Sequence, residues 1–128
     1  MSIVKSFLVK TQVVAYTGLV ATLMLSAAPA SAQSKIPQGE MSYCAATLIG
    51  KTPGSRINLR SGPSTNYQEQ GYGLVGDRVH ILRTSGGTPE DLAVAEDRQG
   101  SSWYRVGFPK SGARGWVRQD FIRAECFN

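Results

Sequence analysis

A single histidine limits the chemistry that this chain of 128 residues can perform. Catalysis by a Ser-His-Asp or Cys-His arrangement needs an imidazole as the general base, so any such site depends on His80. His80 alternates with Val79 and Ile81, two apolar residues that are expected to face a core. We therefore interpret it as an exposed strand residue. The sequence also lacks a glycine-rich loop for phosphates, and we predict neither an enzyme nor a cofactor.

Four acidic residues fall close together in one segment, at Glu90, Asp91, Glu96 and Asp97. Carboxylates grouped in this way are the usual ligands of a hard cation. Their spacing does not follow the DxDxDG pattern of a calcium loop. We interpret them as solvated side chains and predict no metal site.

Side chains suited to ligand binding occur in the segment RINLRSGPSTNY at residues 56–67. Alternation places Ile57 and Leu59 on one face, and the other face carries Arg56, Asn58 and Arg60. Asn58 offers a donor and an acceptor to a peptide or a sugar, and Arg60 offers a fork to a carboxylate. The alternative is that both side chains tie the following loop to the domain through hydrogen bonds to the backbone.

Aromatic residues near this segment add a possible binding rim. Tyr67 closes the loop, and Tyr72 follows it. By alternation Trp103 lies opposite Tyr104 and Val106, so it is either an exposed platform for sugar or apolar peptide groups, or a cover beneath a loop at one end of the domain. The candidate ligand-binding residues are Asn58, Arg60, Tyr67, Tyr72 and Trp103.

Short apolar segments separated by Gly and Pro turns predict the elements that position these residues. No long amphipathic helix is visible, so the pattern favours an all-β sandwich or barrel, and a barrel would remove exposed strand edges. Residues 84–100 are expected to form at most one helical turn followed by a hairpin. Leu82 is expected to face outward or to pack at an edge. The predicted strands cover residues 43–49, 56–60, 78–83, 103–108 and 115–118.

The last hairpin raises a question of register. If Val106 lies opposite Val117, then Arg105 lies opposite Arg118, and two facing cations call for an acidic neighbour or an anion. A register shifted by two residues separates the two arginines instead.

The N-terminal quarter has the layout of a secretory signal peptide. Lys5 and Lys10 are followed by an apolar run over residues 13–25 and by small residues at 30–32. A membrane anchor is the alternative, but the run falls short of the about 20 apolar residues that a span needs. We predict cleavage after Ala32 and no stable membrane insertion afterwards.

The remaining 96 residues carry twelve Lys and Arg against nine Asp and Glu, a net charge of +3. This excess is far below that of a nucleic-acid-binding protein, so no nucleic acid partner is expected. An anionic partner in a bacterial envelope is the functional interpretation of the charge, and a merely solvated surface is the other.

Both cysteines lie in this part, 82 positions apart, at Cys44 and Cys126. An exported chain meets an oxidising compartment, where an even number of cysteines suggests a disulfide. A reactive cysteine beside His80 is the less favoured alternative.

Five blocks of the sequence, in this order, resemble the bacterial SH3 domain family, and in particular its secreted cyanobacterial members. The blocks are INLRSGP at 57–63, GDRVHI at 76–81, WYRV at 103–106, GWV at 115–117 and Phe121. The resemblance spans about residues 45–123, and residues 84–100 exceed the usual connection. It implies an SH3-like barrel of five to six strands. It also implies a non-catalytic module that holds peptidoglycan or its peptides, with adjacent chain ends that suit a Cys44–Cys126 disulfide.

Taken together, these patterns predict a signal peptide over residues 1–32, a polar tether over 33–42 and an SH3-like β-barrel over 43–128. We expect an exported, monomeric protein in the periplasm or outside the cell. Its expected partner is peptidoglycan or an extracellular polypeptide, with binding centred on the loop after Pro63. An adaptor or inhibitor of other envelope proteins, using the same groove, is the alternative function.

Overall fold

Short antiparallel strands joined by tight turns make up the domain. A computed structural model describes residues 33–126, and the predicted signal peptide lies outside these residues. The eight strands are β1 (Met41–Leu48), β2 (Arg56–Arg60), β3 (Glu69–Leu74), β4 (Arg78–Leu82), β5 (Val94–Glu96), β6 (Ser102–Gly107), β7 (Arg114–Arg118) and β8 (Ile122–Ala124). Two short 3-10 turns, Gln38–Glu40 and Gln119–Phe121, precede β1 and β8. The prediction of an all-β fold is confirmed.

All eight strands belong to one antiparallel sheet in the order β3-β2-β7-β6-β4-β1-β8, with β5 attached to β6. Alternation along the strands directs one set of side chains to a common core. That core draws on β1, β2, β4, β6, β7 and β8 and consists of Cys44, Ala46, Leu48, Ile57, Leu59, Val79, Ile81, Val106, Val117 and Ile122. The inward positions predicted for β2 and β4 are therefore confirmed.

Close packing at Gly73 shows how far the sheet curls. Strands β3 and β1 stand far apart in the strand order, yet a Cβ atom on Gly73 would lie 2.7 Å from Leu48 and 2.6 Å from Phe108. No side chain fits at such a distance, so glycine permits β3 to approach β1. The curled sheet thereby encloses its core, as an SH3-like barrel requires.

The segment before β1 is not the loose tether that its polar composition predicts. Ile36 exposes only 1% of its surface, and the Lys35 amide donates to the Pro109 carbonyl oxygen at 2.6 Å. Ile36 and Leu82 flank Gly107, where an added Cβ atom would lie 3.0 and 3.1 Å from them. Leu82 is fully buried as a result. The prediction of a loose tether is wrong, because Ile36 packs on the outer face of β4. Leu82 lies on that outer face, as alternation predicts, but Ile36 covers it and leaves it unexposed.

Arg83 fixes the same segment by hydrogen bonds. Its guanidinium donates to the carbonyl oxygens of Met41 at 3.1 Å, Gln38 at 3.0 Å and Gly87 at 3.1 Å. Glu40 accepts from Arg114 at 2.8 Å. The ordered domain therefore begins ahead of its predicted start at residue 43, and β1 itself begins at Met41.

Residues 84–100 form turns and a hairpin. Asp91 accepts hydrogen bonds from the amide and the hydroxyl of Thr88, at 2.9 and 3.0 Å, and closes a turn that does not continue into a helix. Strand β5 then pairs with β6, with Ala95 opposite Trp103. The predicted hairpin is confirmed, and the segment that exceeds the usual connection adds this extra strand.

The register of β6 and β7 differs by two residues from the one that pairs Val106 with Val117. Val117 lies opposite Tyr104, and Arg105 lies opposite Trp116. Of the two registers considered from the sequence, the one shifted by two residues is therefore the correct one, and Arg105 does not face Arg118. In this register Gly115 lies opposite Val106, and an added Cβ atom there would meet Leu59 at 2.6 Å.

A disulfide joins Cys44 in β1 to Cys126, which follows β8, with their Cα atoms 5.0 Å apart. This separation lies inside the usual range for disulfides. Cys44 is fully buried in the core. The predicted disulfide is confirmed, and it fastens the C-terminal end of the domain to its first strand.

Candidate ligand-binding pocket between two separating strands

A pocket of about 190 Å³ opens where β2 and β7 move apart. The two strands pair at one position, Arg60 opposite Trp116, and then separate toward the 3-10 turn before β8. Three arginines, two other polar residues and four apolar or aromatic residues line the opening. They are Arg56, Ile57, Asn58, Arg60, Thr65, Trp103, Val117, Arg118 and Phe121.

Trp103 is a buried wall of this pocket and not an exposed platform. It exposes 3% of its surface, and its indole Nε1 donates to Asp97 Oδ2 at 2.9 Å. Asp97 also accepts from the backbone amides of Gln99 and Ser101, both at 2.9 Å. The covering interpretation of Trp103 is therefore the correct one, because the β5–β6 turn folds over the ring and supplies its hydrogen-bond acceptor.

Replacing Trp103 with phenylalanine tests this supporting role. We expect the free energy of unfolding to fall by about 2 kcal/mol, because the smaller ring leaves a void and Asp97 loses its indole donor. Chemical denaturation measures the change. Trp116→Phe, at a half-buried position on the adjacent strand, is the matched control and should have the smaller effect. Equal losses in the two variants would contradict the assignment.

Arg60 connects the loop at residues 61–67 to β2. Its Nη1 donates to the carbonyl oxygens of Thr65 at 3.2 Å and Tyr67 at 3.0 Å. Asn58 Nδ2 donates to Glu69 Oε2 at 3.0 Å, and Arg60 Nη2 lies 3.8 Å from the same oxygen. Arg60 therefore ties the following loop to the domain through hydrogen bonds to the backbone, as one of the two interpretations of the sequence has it. For Asn58, the partner is a side chain of β3 and not the loop backbone.

The arginines differ in how far their charge is compensated. Arg118 pairs with Asp120 through two hydrogen bonds of 2.7 and 3.0 Å, which lower the pKa of Asp120 and raise the pKa of Arg118. Arg56 lies over the Tyr72 ring, with its guanidinium carbon 4.1 Å from the ring centroid. Among residues 33–126, Arg56 has no carboxylate partner. The rim therefore carries one uncompensated positive charge.

Three of the five sequence-predicted site residues meet in this pocket, namely Asn58, Arg60 and Trp103. Tyr72 lies outside it, opposite Asn58 on β3, and is 50% exposed. Tyr67 is 48% exposed and lines a separate groove. Arg56 and Arg118 were not among the predicted site residues. Arg56 lies on the same face of β2 as Asn58 and Arg60, so alternation along the strand could have identified it. Arg118 could not be identified in this way, because its place in the pocket depends on strand register.

A family model described as the bacterial SH3 domain matches residues 55–123, more than half of the chain. The chain belongs to the bacterial SH3 domain family. Bacterial SH3 domains are generally non-catalytic binding modules, often related to the cell wall. The resemblance carried by the five sequence blocks is therefore confirmed, together with the SH3-like all-β fold.

The "Serine/threonine-protein kinase D" of Synechocystis sp. (strain ATCC 27184 / PCC 6803 / Kazusa) is 34% identical over 82 residues. The match covers 64% of this chain and 14% of the kinase, so this bacterial SH3 domain is similar to a small part of a much longer protein. No solved structure gave a significant match. Within residues 33–126, no helix has the length and apolar character needed to cross a membrane.

Three other titratable residues of this bacterial SH3 domain, His80, Asp91 and Asp97, make hydrogen bonds within the fold. His80 is half-buried, and its Nε2 donates to the Ser42 carbonyl oxygen at 2.7 Å, so it is not the simply exposed residue that alternation predicts. Asp91 and Asp97 close turns. The described part of the chain brings together no group of three or more His, Cys, Asp or Glu side chains that could hold a metal ion.

The turn-closing aspartates predict how this bacterial SH3 domain responds to acid. Hydrogen bonds from the Trp103 indole and the Ser101 amide lower the pKa of Asp97, and hydrogen bonds from Thr88 lower the pKa of Asp91. A carboxyl whose pKa is lower in the folded state stabilises the fold above its unfolded-state pKa. That contribution is lost as the pH falls through the folded-state pKa, here below about pH 4.

We therefore expect the urea concentration at the midpoint of unfolding to decrease as the pH is lowered from about 5 to about 2. This decrease should be smaller in the Asp97→Asn variant, because its urea midpoint at neutral pH is lower than the parent's from the start. Glu90→Gln, at an exposed position in the same segment, should follow the parent. A pH dependence in Asp97→Asn that is identical to the parent's would contradict the role of Asp97.

Proposed function

We propose that the protein is an exported, non-catalytic binding module for peptidoglycan or its peptides, and that the pocket between β2 and β7 receives a peptide carboxylate. The observation that carries this proposal is the uncompensated guanidinium of Arg56 at the rim of a pocket with apolar walls. Membership of a family of binding modules supports the general function.

The chemistry of the pocket favours a small carboxylate. A guanidinium binds a carboxylate through a planar fork, and the Asn58 amide can donate from the same strand. Ile57, Val117 and Trp103 offer an apolar wall for a short aliphatic side chain. Cell-wall peptides combine free carboxylates with small side chains, so they fit both parts of this lining.

Export is supported by two observations. The residues at 1–32 have the pattern of a secretory signal peptide, and the Cys44–Cys126 disulfide fits an oxidising compartment. We propose a periplasmic or extracellular monomer that needs no cofactor. A polymeric ligand would compensate for the modest affinity of one small pocket by offering many copies.

Sedimentation with purified peptidoglycan tests the function. The protein should enter the pellet with peptidoglycan, and less of it should do so as the salt concentration rises, because the attraction of Arg56 to carboxylates is screened. Polystyrene particles, which carry neither sugar nor peptide, control for non-specific sedimentation. Complete recovery in the supernatant at low salt would refute the proposal.

A second function is favoured by the match within a much longer protein. A domain similar to part of a protein named as a kinase can act as a module that brings another chain to a ligand or a partner. The same pocket would then bind a carboxylate of a polypeptide in the envelope. Capture of specific exported proteins in a pull-down, with no sedimentation on peptidoglycan, would favour this adaptor function.

A further inference from the structure

A second concavity, of about 430 Å³, lies between the 61–67 loop and the β5–β6 turn. We call it the tyrosine groove, because Tyr67 is its only aromatic residue. Loop residues form one wall and turn residues form the other. Its lining consists of Pro63, Ser64, Asn66, Tyr67, Glu96, Asp97, Arg98 and Gln99.

The Tyr67 ring is held in place although 48% of the residue is exposed. The ring packs on buried Gly62, where an added Cβ atom would lie 2.6–2.7 Å from three of its carbons. The backbone of Tyr67 is fixed as well. Its carbonyl oxygen accepts a hydrogen bond from Arg60 Nη1 at 3.0 Å, and its amide donates to the Ser64 carbonyl oxygen at 3.3 Å. An aromatic surface ordered in this way loses little conformational entropy when a ligand stacks on it.

The rest of the groove is polar. Asn66, Arg98 and Gln99 are exposed, and their amide and guanidinium groups supply donors and acceptors. Pro63 is the only other apolar side chain in the lining. An apolar peptide side chain would therefore find no enclosed site here, whereas a pyranose presents C–H groups on one face and hydroxyls around its edge.

We propose that the tyrosine groove binds an uncharged pyranose sugar with hydroxyl and acetamido groups, stacked on Tyr67 and hydrogen-bonded to Asn66 and Gln99. This inference rests on the proposed function, and it assigns the glycan strand of the wall to the groove and the peptide to the pocket. The two sites share a support, because Trp103 lines the pocket and donates to Asp97, which lines the groove. We expect one wall fragment that carries both sugar and peptide to contact both sites.

Titration of the protein with a tetramer of N-acetylglucosamine, which carries no peptide, tests the inference. We expect binding that Tyr67→Ala weakens by about tenfold, because the stacking surface is lost. Tyr67→Phe should stay close to the parent, since it keeps the ring. Gln99→Ala, at an exposed position on the opposite wall, should weaken binding by about threefold through loss of one hydrogen bond.

Tyr72→Ala is the matched control, because Tyr72 is equally exposed and lies outside the groove. It should bind the sugar as the parent does. Sedimentation with peptidoglycan without any binding of the tetramer would overturn the sugar site and leave the proposed function standing. Equal losses in Tyr72→Ala and Tyr67→Ala would overturn it as well. Failure of both ligands to bind would reject the proposed function together with this inference.

Discussion

Replacement of Cys44 and Cys126 together by alanine is expected to lower the free energy of unfolding by about 4 kcal/mol. The two residues are 82 positions apart, so the disulfide closes almost the whole domain into one loop and restricts the unfolded chain accordingly. A domain of this size is stable by only about 5–15 kcal/mol in total. The midpoint of thermal unfolding should therefore fall steeply, and part of the population is expected to be unfolded at 37 °C.

Reduction of the parent protein provides the control for this variant. The parent treated with a thiol reductant should show the same loss as the alanine variant, and the alanine variant should not respond to the reductant. A loss below about 1 kcal/mol in both experiments would contradict the role of the disulfide, because it lies well under the chain-entropy value.

Replacement of Arg56 by glutamine is expected to weaken binding to peptidoglycan by about tenfold or more and to leave stability almost unchanged. A charge-assisted hydrogen bond to a carboxylate contributes about 1.5–3 kcal/mol, and tenfold corresponds to about 1.4 kcal/mol. Arg56 is exposed and has no carboxylate partner in the described residues, so its loss leaves no buried group unpaired. Arg60 is less suitable for this test, because it also holds the loop.

Arg123→Gln is the matched control for net charge. Arg123 is exposed on β8, outside the lining of the pocket. If positive charge acts only through general attraction to an anionic polymer, both variants should lose the same small part of their binding. A larger loss in Arg56→Gln, with a weaker salt dependence than in the parent, is the result that the pocket predicts.

Local patterns of the sequence determined much of this fold. Alternation along Arg56–Arg60 and Arg78–Leu82 placed Ile57, Leu59, Val79 and Ile81 in the core, as the structure has them. The Gly and Pro turns marked where strands end. Even the extra strand within residues 84–100 was indicated by the turn residues that precede Ser101.

Contacts between distant segments could not be predicted in this way. Ile36 lies in a segment whose other residues are mostly polar, and it is buried because it packs on the outer face of β4. Alternation along β4 predicts that this outer face is exposed, so it gives no sign of the contact. The exposure of Trp103 was open because alternation gives the face of a strand and not what covers it. The β5–β6 turn provides that cover, and Asp97 at its start becomes the acceptor for the indole.

The pocket illustrates the same limit at the functional level. Asn58 and Arg60 were identified as outward residues of one strand, but the pocket also requires Arg118 and Phe121 from across the gap. That gap arises because β2 and β7 pair at one position and then separate. Strand separation is a property of the curled sheet as a whole, so no local pattern reports it.

The most direct test of the carboxylate site is a pair of NMR titrations of the protein, one with a short peptide that ends in D-alanine and one with its C-terminal amide. The free carboxylate should shift the backbone amides of residues 56–60, 65 and 117–121, and the amidated peptide should bind at least about tenfold more weakly. Equal binding of the two peptides, or shifts confined to other parts of the domain, would contradict the account.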